Sequence, residues 1–240
     1  MVELVSTIIF SEVRRMDKKE LAIELFKIGA IQFGEFQLKM HEKHPDAPLS
    51  PVYLNFRIPP KGKLTDEIIG EIGQILWKAA RKSESLFYLV IGLPKAGDPL
   101  AKALVRASDG IIGYDQLIFL KKEETSTSRR ILPEIDGEFI AGDICLVVDD
   151  LITGADTKLE GVSALRSNGL LVEDCLVLVD REQGGKEELA KYGVKLHSVF
   201  TMSKLLDIYV EERLISKEVR QKVIDYQERV KKYLEEYSSG

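Results

Sequence analysis

Residues 145–158 read CLVVDDLITGADTK. An apolar run ends in two adjacent aspartates, two more apolar residues follow, and a Thr-Gly-Ala-Asp-Thr turn comes next. This pattern predicts a buried strand over residues 144–148 and a helix opening at Thr157. Successive strand residues face opposite ways, so Asp149 and Asp150 are expected to do different jobs. Two carboxylates at the carboxyl end of a strand can hold sugar hydroxyls, directly or through a divalent cation. The turn offers backbone N–H groups at a helix N-terminus, which favours a phosphate. A ribose beside a phosphate is the ligand that suits these residues. The plainer alternative is an Asp-capped turn, but a cap needs one acid, not two behind an apolar strand.

Working outward, strands are predicted at 86–92, 111–120, 174–179 and 195–200, alternating with helices at 98–108, 157–167 and 186–192. Strands of continuous Val, Ile and Leu between helices predict an α/β fold with a central, mostly parallel sheet and helices on both faces. Ligands in such sheets sit at the carboxyl ends of the strands. That places interest on loops 93–97, 149–156 and 180–185. Upstream, helices are predicted over 18–34 and 66–82, the latter (DEIIGEIGQILWKAARK) acidic at its start and basic at its end, as the macrodipole favours. A short strand is expected at 52–56. The last forty residues are helical and charge-laced, as packing helices are. No repeat or linker interrupts the chain, so one domain is expected over 1–240: an N-terminal hood (1–60), a core sheet (84–200) and C-terminal helices (201–240).

Of 240 residues, 45% are hydrophobic and 30% charged, with a net charge of -5. Nothing global draws such a chain to nucleic acid or an anionic membrane, so an anionic ligand must meet local donors. Cys145 and Cys175 lie in apolar runs and are expected as buried free thiols. The opening MVELVSTIIF has no basic n-region, and no apolar run approaches the roughly 20 residues of a spanning helix. A cytoplasmic protein without membrane or nucleic-acid partners is expected. No Gly-x-Gly-x-x-Gly follows a strand, which argues against a dinucleotide.

The segment at 145–158 resembles the phosphoribosyl-diphosphate signature of type I phosphoribosyltransferases: apolar strand, two acids, two apolar residues, then Thr and small residues. The resemblance implies that Asp149 and Asp150 contact the ribose hydroxyls and that Thr153, Gly154, Ala155, Asp156 and Thr157 cradle the 5-phosphate. Asp156 departs from the family's Gly or Thr. A carboxylate beside a phosphate is unfavourable, so it is expected to cap the helix or turn to solvent, capping being favoured.

Further segments resemble the orotate branch, in order along residues 20–207. GAIQFGEFQLK (29–39) is similar to its entry segment and implies that Lys39 contacts the base and diphosphate end. SPVYLNFR (50–57) resembles the Ser-Pro-aromatic segment around the base, placing Val52 and Tyr53 near the ring; by itself Tyr53 reads equally as core. LPKAG (93–97) matches the diphosphate loop, with Lys95 as an anion contact. LVLVDREQGG (176–185) resembles the Asp-Arg segment, in which Arg181 would meet the orotate carboxylate, and Thr153 would border the same base. A planar guanidinium gives a bidentate match to such a group. In LKKEETSTSRRI (120–131) Lys121 and Lys122 match the basic pair that opens the family's mobile loop. The next lysine would fall at Thr125, and no histidine follows; Arg129 and Arg130 either replace these groups or are solvated.

The resemblance implies an orotate phosphoribosyltransferase acting in pyrimidine synthesis. Asp149, Asp150, Lys121 and Lys122 would form the reactive set, and the substrates would be phosphoribosyl diphosphate and orotate. It also implies a homodimer with loops shared across the interface. Mg²⁺ would be carried by substrate oxygens and water, with no direct protein ligand. Transfer to another base, or donor binding without catalysis, stays open on these residues.

Overall fold

The computed structural model describes residues 15–42, 44–124 and 129–238, apart from the side chains of Lys39, Glu124, Arg129 and residues 234–238. Its main sheet has six strands in the order β5-β4-β3-β6-β7-β8. These are β3 (Leu89–Gly92), β4 (Leu117–Glu124), β5 (Arg129–Asp136), β6 (Ile144–Ile152), β7 (Leu171–Asp180) and β8 (Lys195–Thr201). All neighbouring pairs are parallel except β4 with β5, an antiparallel hairpin at one edge. The mostly parallel α/β sheet expected from the sequence is present.

The sheet is covered on both faces because its central strands alternate between two apolar layers. On β6, Leu146 and Val148 enter the cluster under α2 (Asp66–Lys82) and α3 (Gly97–Ala107). Cys145 and Val147 enter the cluster under α4 (Asp156–Ser167) and α5 (Gly185–Lys191). Each such Val or Leu contributes about 1.5–3 kcal/mol of burial, which holds the strand's register. Both cysteines are buried and unpaired, and burial pushes the Cys175 thiol up to about 12.

A second, two-stranded sheet of β1 (Ile31–Phe36) and β2 (Ser50–Leu54) lies ahead of the main sheet in the chain. The helix expected over 18–34 is shorter: α1 (Lys18–Lys27) starts in an Asp17–Glu20 capping box and gives way at Ile28. Gly29, at φ +72°, makes the left-handed turn that frees the following residues for β1. The last helices, α6 (Met202–Glu211) and α7 (Lys217–Ser238), close over this region, with Tyr209 buried and its hydroxyl donating to Ala22 O at 2.9 Å. Among the described residues no helix is long and apolar enough to cross a membrane.

Candidate active site

Parallel register sets the carboxyl ends of β3, β6 and β7 side by side: Gly92 pairs with Val148, and Ile152 with Asp180. The loops that leave them therefore converge. A cavity of about 650 Å³ opens there, with Asp149, Asp150, Leu151 and Lys158 on its floor and Thr153 and Thr157 at the start of α4. Pro94, Lys95 and Ala96 form one wall, with Lys122 and Ile131 from the hairpin. Tyr53 and residues 54–61 form the opposite wall.

β6 runs to Ile152, four residues past the strand expected from the sequence, so both aspartates sit within it. The strand's alternation separates them. Asp149 is 5% exposed and ion-paired with the Lys158 ammonium at 2.5 Å; that ammonium also reaches Leu151 O at 2.5 Å. Burial favours a neutral amine at Lys158, but Asp149 and Asp150 outweigh it and hold the group up. Asp150 is half-buried and accepts the Leu151 N–H at 2.8 Å. Burial first, then the neighbouring Asp149 charge, pushes its carboxyl up to about 7, with Lys158 opposing.

At Gly97 the β3–α3 turn fits against this floor so closely that no side chain is admitted there. A Cβ on Gly97 would stand 2.4 Å from Val148 O and 3.2 Å from Asp149 Oδ1. Lys95, exposed, lines the cavity from this turn. Asp98, at the start of α3, has a buried Oδ1 with no hydrogen-bond partner. Burial raises its pKa to about 6, Lys102 opposing and Asp149 adding to the rise.

The turn at 153–157 is divided by its own geometry. Thr153 and Thr157 line the cavity, whereas Gly154 and Asp156 are exposed outside it and Ala155 is buried. The favoured expectation for Asp156 is corrected: Ala155 is the N-cap, without a side-chain cap bond. Asp156 turns to solvent in the first helical turn, where the macrodipole suits it.

The basic pair is also split. Lys122 lines the cavity and donates to Pro94 O at 2.9 Å, tying the hairpin to the β3–α3 turn. Lys121, its neighbour on β4, is exposed and does not line this cavity, as strand alternation dictates. Arg130 pairs across the hairpin with Glu123 and is exposed. Residue 125, where the next lysine would fall, lies outside the described residues.

Lys39 sits in a one-turn helix, Lys39–Glu42, and its side chain is outside the described set. Arg181 follows β7 and is 5% exposed. It does not line the cavity; it is enclosed behind β2, with Nη2 3.5 Å from Ser50 Oγ and a buried Nε without an acceptor. Among the described residues no carboxylate is ion-paired with it, and burial lowers its pKa. A buried guanidinium without a counter-charge is costly by several kcal/mol, and an anion is what would relieve it.

Several groups lining the cavity were not singled out in the sequence. Lys158 closes the stretch quoted at 145–158 and Arg57 closes SPVYLNFR, but neither was given a role there, and Lys61 was not named. Residues 57–62 form a closed loop: Asn55 Nδ2 donates to Lys61 O at 2.8 Å, and Leu64 N to Arg57 O at 3.1 Å. The loop presents Arg57 and Lys61, both exposed, to the cavity. No cluster of three or more Asp, Glu, His or Cys that could cage a metal occurs among the described residues. Two aspartates, one of them already paired, fit an Mg²⁺ that keeps waters and substrate oxygens, not a dedicated protein cage.

Residues 62–203 match the family model described as phosphoribosyl transferase domain. The chain belongs to the phosphoribosyltransferase family. Within that family, orotate phosphoribosyltransferase of Methanocaldococcus jannaschii is 30% identical over 191 residues, covering 79% of this chain and 98% of that protein. Uridine 5′-monophosphate synthase of Bos taurus is 31% identical over 217 residues, covering 90% of this chain; the chain spans 40% of its length. The crystal structure of orotate phosphoribosyltransferase from Aeropyrum pernix superposes with a TM-score of 0.59 at 29% identity, over 78% of this chain and 97% of that one.

Proposed function

We propose that this chain transfers the 5-phosphoribosyl group from phosphoribosyl diphosphate to orotate, giving orotidine 5′-phosphate and diphosphate. The observation that carries the reading is the convergence of the β6 acid floor, the α4 turn and several cations on one cavity, in a chain whose relatives bear that name. The bond from ribose C1 to the diphosphate oxygen breaks as the bond to a ring nitrogen forms, and the ring N–H proton leaves. Such a step needs positioning and charge neutralisation, not a protein nucleophile.

The acid floor orients the ribose hydroxyls. Thr153, Thr157 and the backbone of residues 154–156 receive the 5-phosphate at the α4 N-terminus. Lys95 and Lys122 meet the diphosphate from one wall, Arg57 and Lys61 from the other. When bound with the diphosphate, Mg²⁺ supplies further neutralisation of the leaving group. Tyr53 and Lys39 border the base, and Arg181 takes its carboxylate as β2 yields. A homodimer belongs to the same reading, on the family resemblance alone.

A donor-binding sensor without turnover is the second reading, favoured by a hairpin that brings Lys122 but not Lys121 to the cavity. A thermal-shift panel separates the choices of base. Orotate should raise the melting temperature in the presence of donor analogue, and uracil, which lacks the carboxylate, should not. Equal shifts from uracil or a purine would overturn the assignment of the base.

A further inference from the structure

The cavity floor carries its own cation. Lys158 is the third residue of α4, yet its side chain doubles back onto β6 and is 6% exposed. Its ammonium holds Asp149 Oδ2 and Leu151 O, both at 2.5 Å. The other Asp149 oxygen accepts the Asp150 N–H at 2.9 Å. Both oxygens of Asp149 are thus engaged by the protein. Asp150 accepts a backbone N–H and, among the described residues, forms no ion pair. Burying one ammonium and one carboxylate is tolerated because each answers the other. A second cation at Asp149 would be repelled by the first.

We propose that Lys158 is a positioning residue that takes the place of a metal ion at Asp149. It fixes and neutralises that carboxylate, leaves Asp150 as the acid that meets the ribose hydroxyls, and confines any divalent cation to arriving with the diphosphate. The ribose part of this statement rests on the transferase reading above; the ion-pair part does not.

Mn²⁺ binding to the full chain without donor, followed by electron paramagnetic resonance, tests the ion-pair part. The wild type should show no site tighter than about 1 mM, and Lys158→Met should gain one at least about tenfold tighter on the freed acid pair. The double variant Lys158→Met/Asp149→Asn should lose that site again. It also removes both buried charges together, so it folds even if Lys158→Met does not. Calorimetric titration with phosphoribosyl diphosphate and Mg²⁺ tests the other half. Asp150→Asn should weaken the donor at least about tenfold, and the double variant, which keeps Asp150, by at least about threefold less than that.

A wild-type Mn²⁺ site as tight as that of Lys158→Met would overturn the proposal. So would loss of donor by the double variant equal to that of Asp150→Asn. Failure of every form, wild type included, to bind donor would instead sink the transferase reading, and the Mn²⁺ comparison would still decide the role of Lys158.

Discussion

Replacing Arg181 with methionine should make the ligand-free protein more stable while removing its hold on orotate. Arg181 is 5% exposed, its Nε has no acceptor, and its one side-chain hydrogen bond among the described residues, to Ser50 Oγ, is at the 3.5 Å limit. An unanswered buried ion costs several kcal/mol, of which imperfect packing of the replacement returns a part, leaving a net gain of about 1–3 kcal/mol. For a chain of this size that is a rise in melting temperature of roughly 2–12 °C. The backbone contact is kept, since Gln227 donates to the Arg181 carbonyl oxygen and not to its side chain. Orotate should then lose two charge-assisted hydrogen bonds at about 1.5–3 kcal/mol each, raising its KM by about a hundredfold or more. Donor affinity, set at the β6 floor, should hold. Scanning calorimetry without ligand and initial rates against each substrate supply the numbers. A variant that melts lower than wild type and loses donor and orotate equally would refute the idea that Arg181 is held in reserve for an anion.

Other perturbations have equally definite signs. Asp98 has a folded-state pKa raised to about 6, so the folded protein holds its proton more tightly than the unfolded chain, and the carboxyl's contribution to stability falls as pH rises from about 4 to 6. Asp98→Asn should therefore gain about 1–2 kcal/mol over wild type at pH 8, after allowance for solvent access, and little at pH 4; urea melts at both pH values check this. Arg57→Ala with Lys61→Ala should raise the donor KM about tenfold and flatten its salt dependence, with orotate KM little changed. Gly97→Ala forces a methyl to 2.4 Å from Val148 O and should cost about 1–3 kcal/mol and weaken donor binding, visible as a lower denaturation midpoint. Sedimentation of the 27.0 kDa chain should give the mass of a dimer.

The main sheet was legible because β3, β6 and β7 are continuous apolar runs punctuated by turns, a signal burial on both faces imposes directly. β1 and β5 were not. IQFGEF continues the apolar spacing of the preceding helix, and RRILPEID is charged and broken by proline, as an edge strand can be. The acid pair and its turn were readable from local pattern alone. Lys158 was not, since a lysine three residues into a helix ordinarily faces water, and only the return of α4 onto β6 buries it against Asp149. Arg57 and Lys61 acquire meaning only when the closed loop after β2 folds over the floor. Lys121 and Lys122 look equivalent in sequence, and strand alternation separates them.

Turnover draws on every part of the site at once. Purified protein with phosphoribosyl diphosphate, Mg²⁺ and orotate should consume orotate and yield orotidine 5′-phosphate and diphosphate in equal amounts, with uracil, adenine and guanine left unchanged. Calorimetric donor binding with no base consumed in any of the four reactions would contradict the transferase and leave a donor-binding protein.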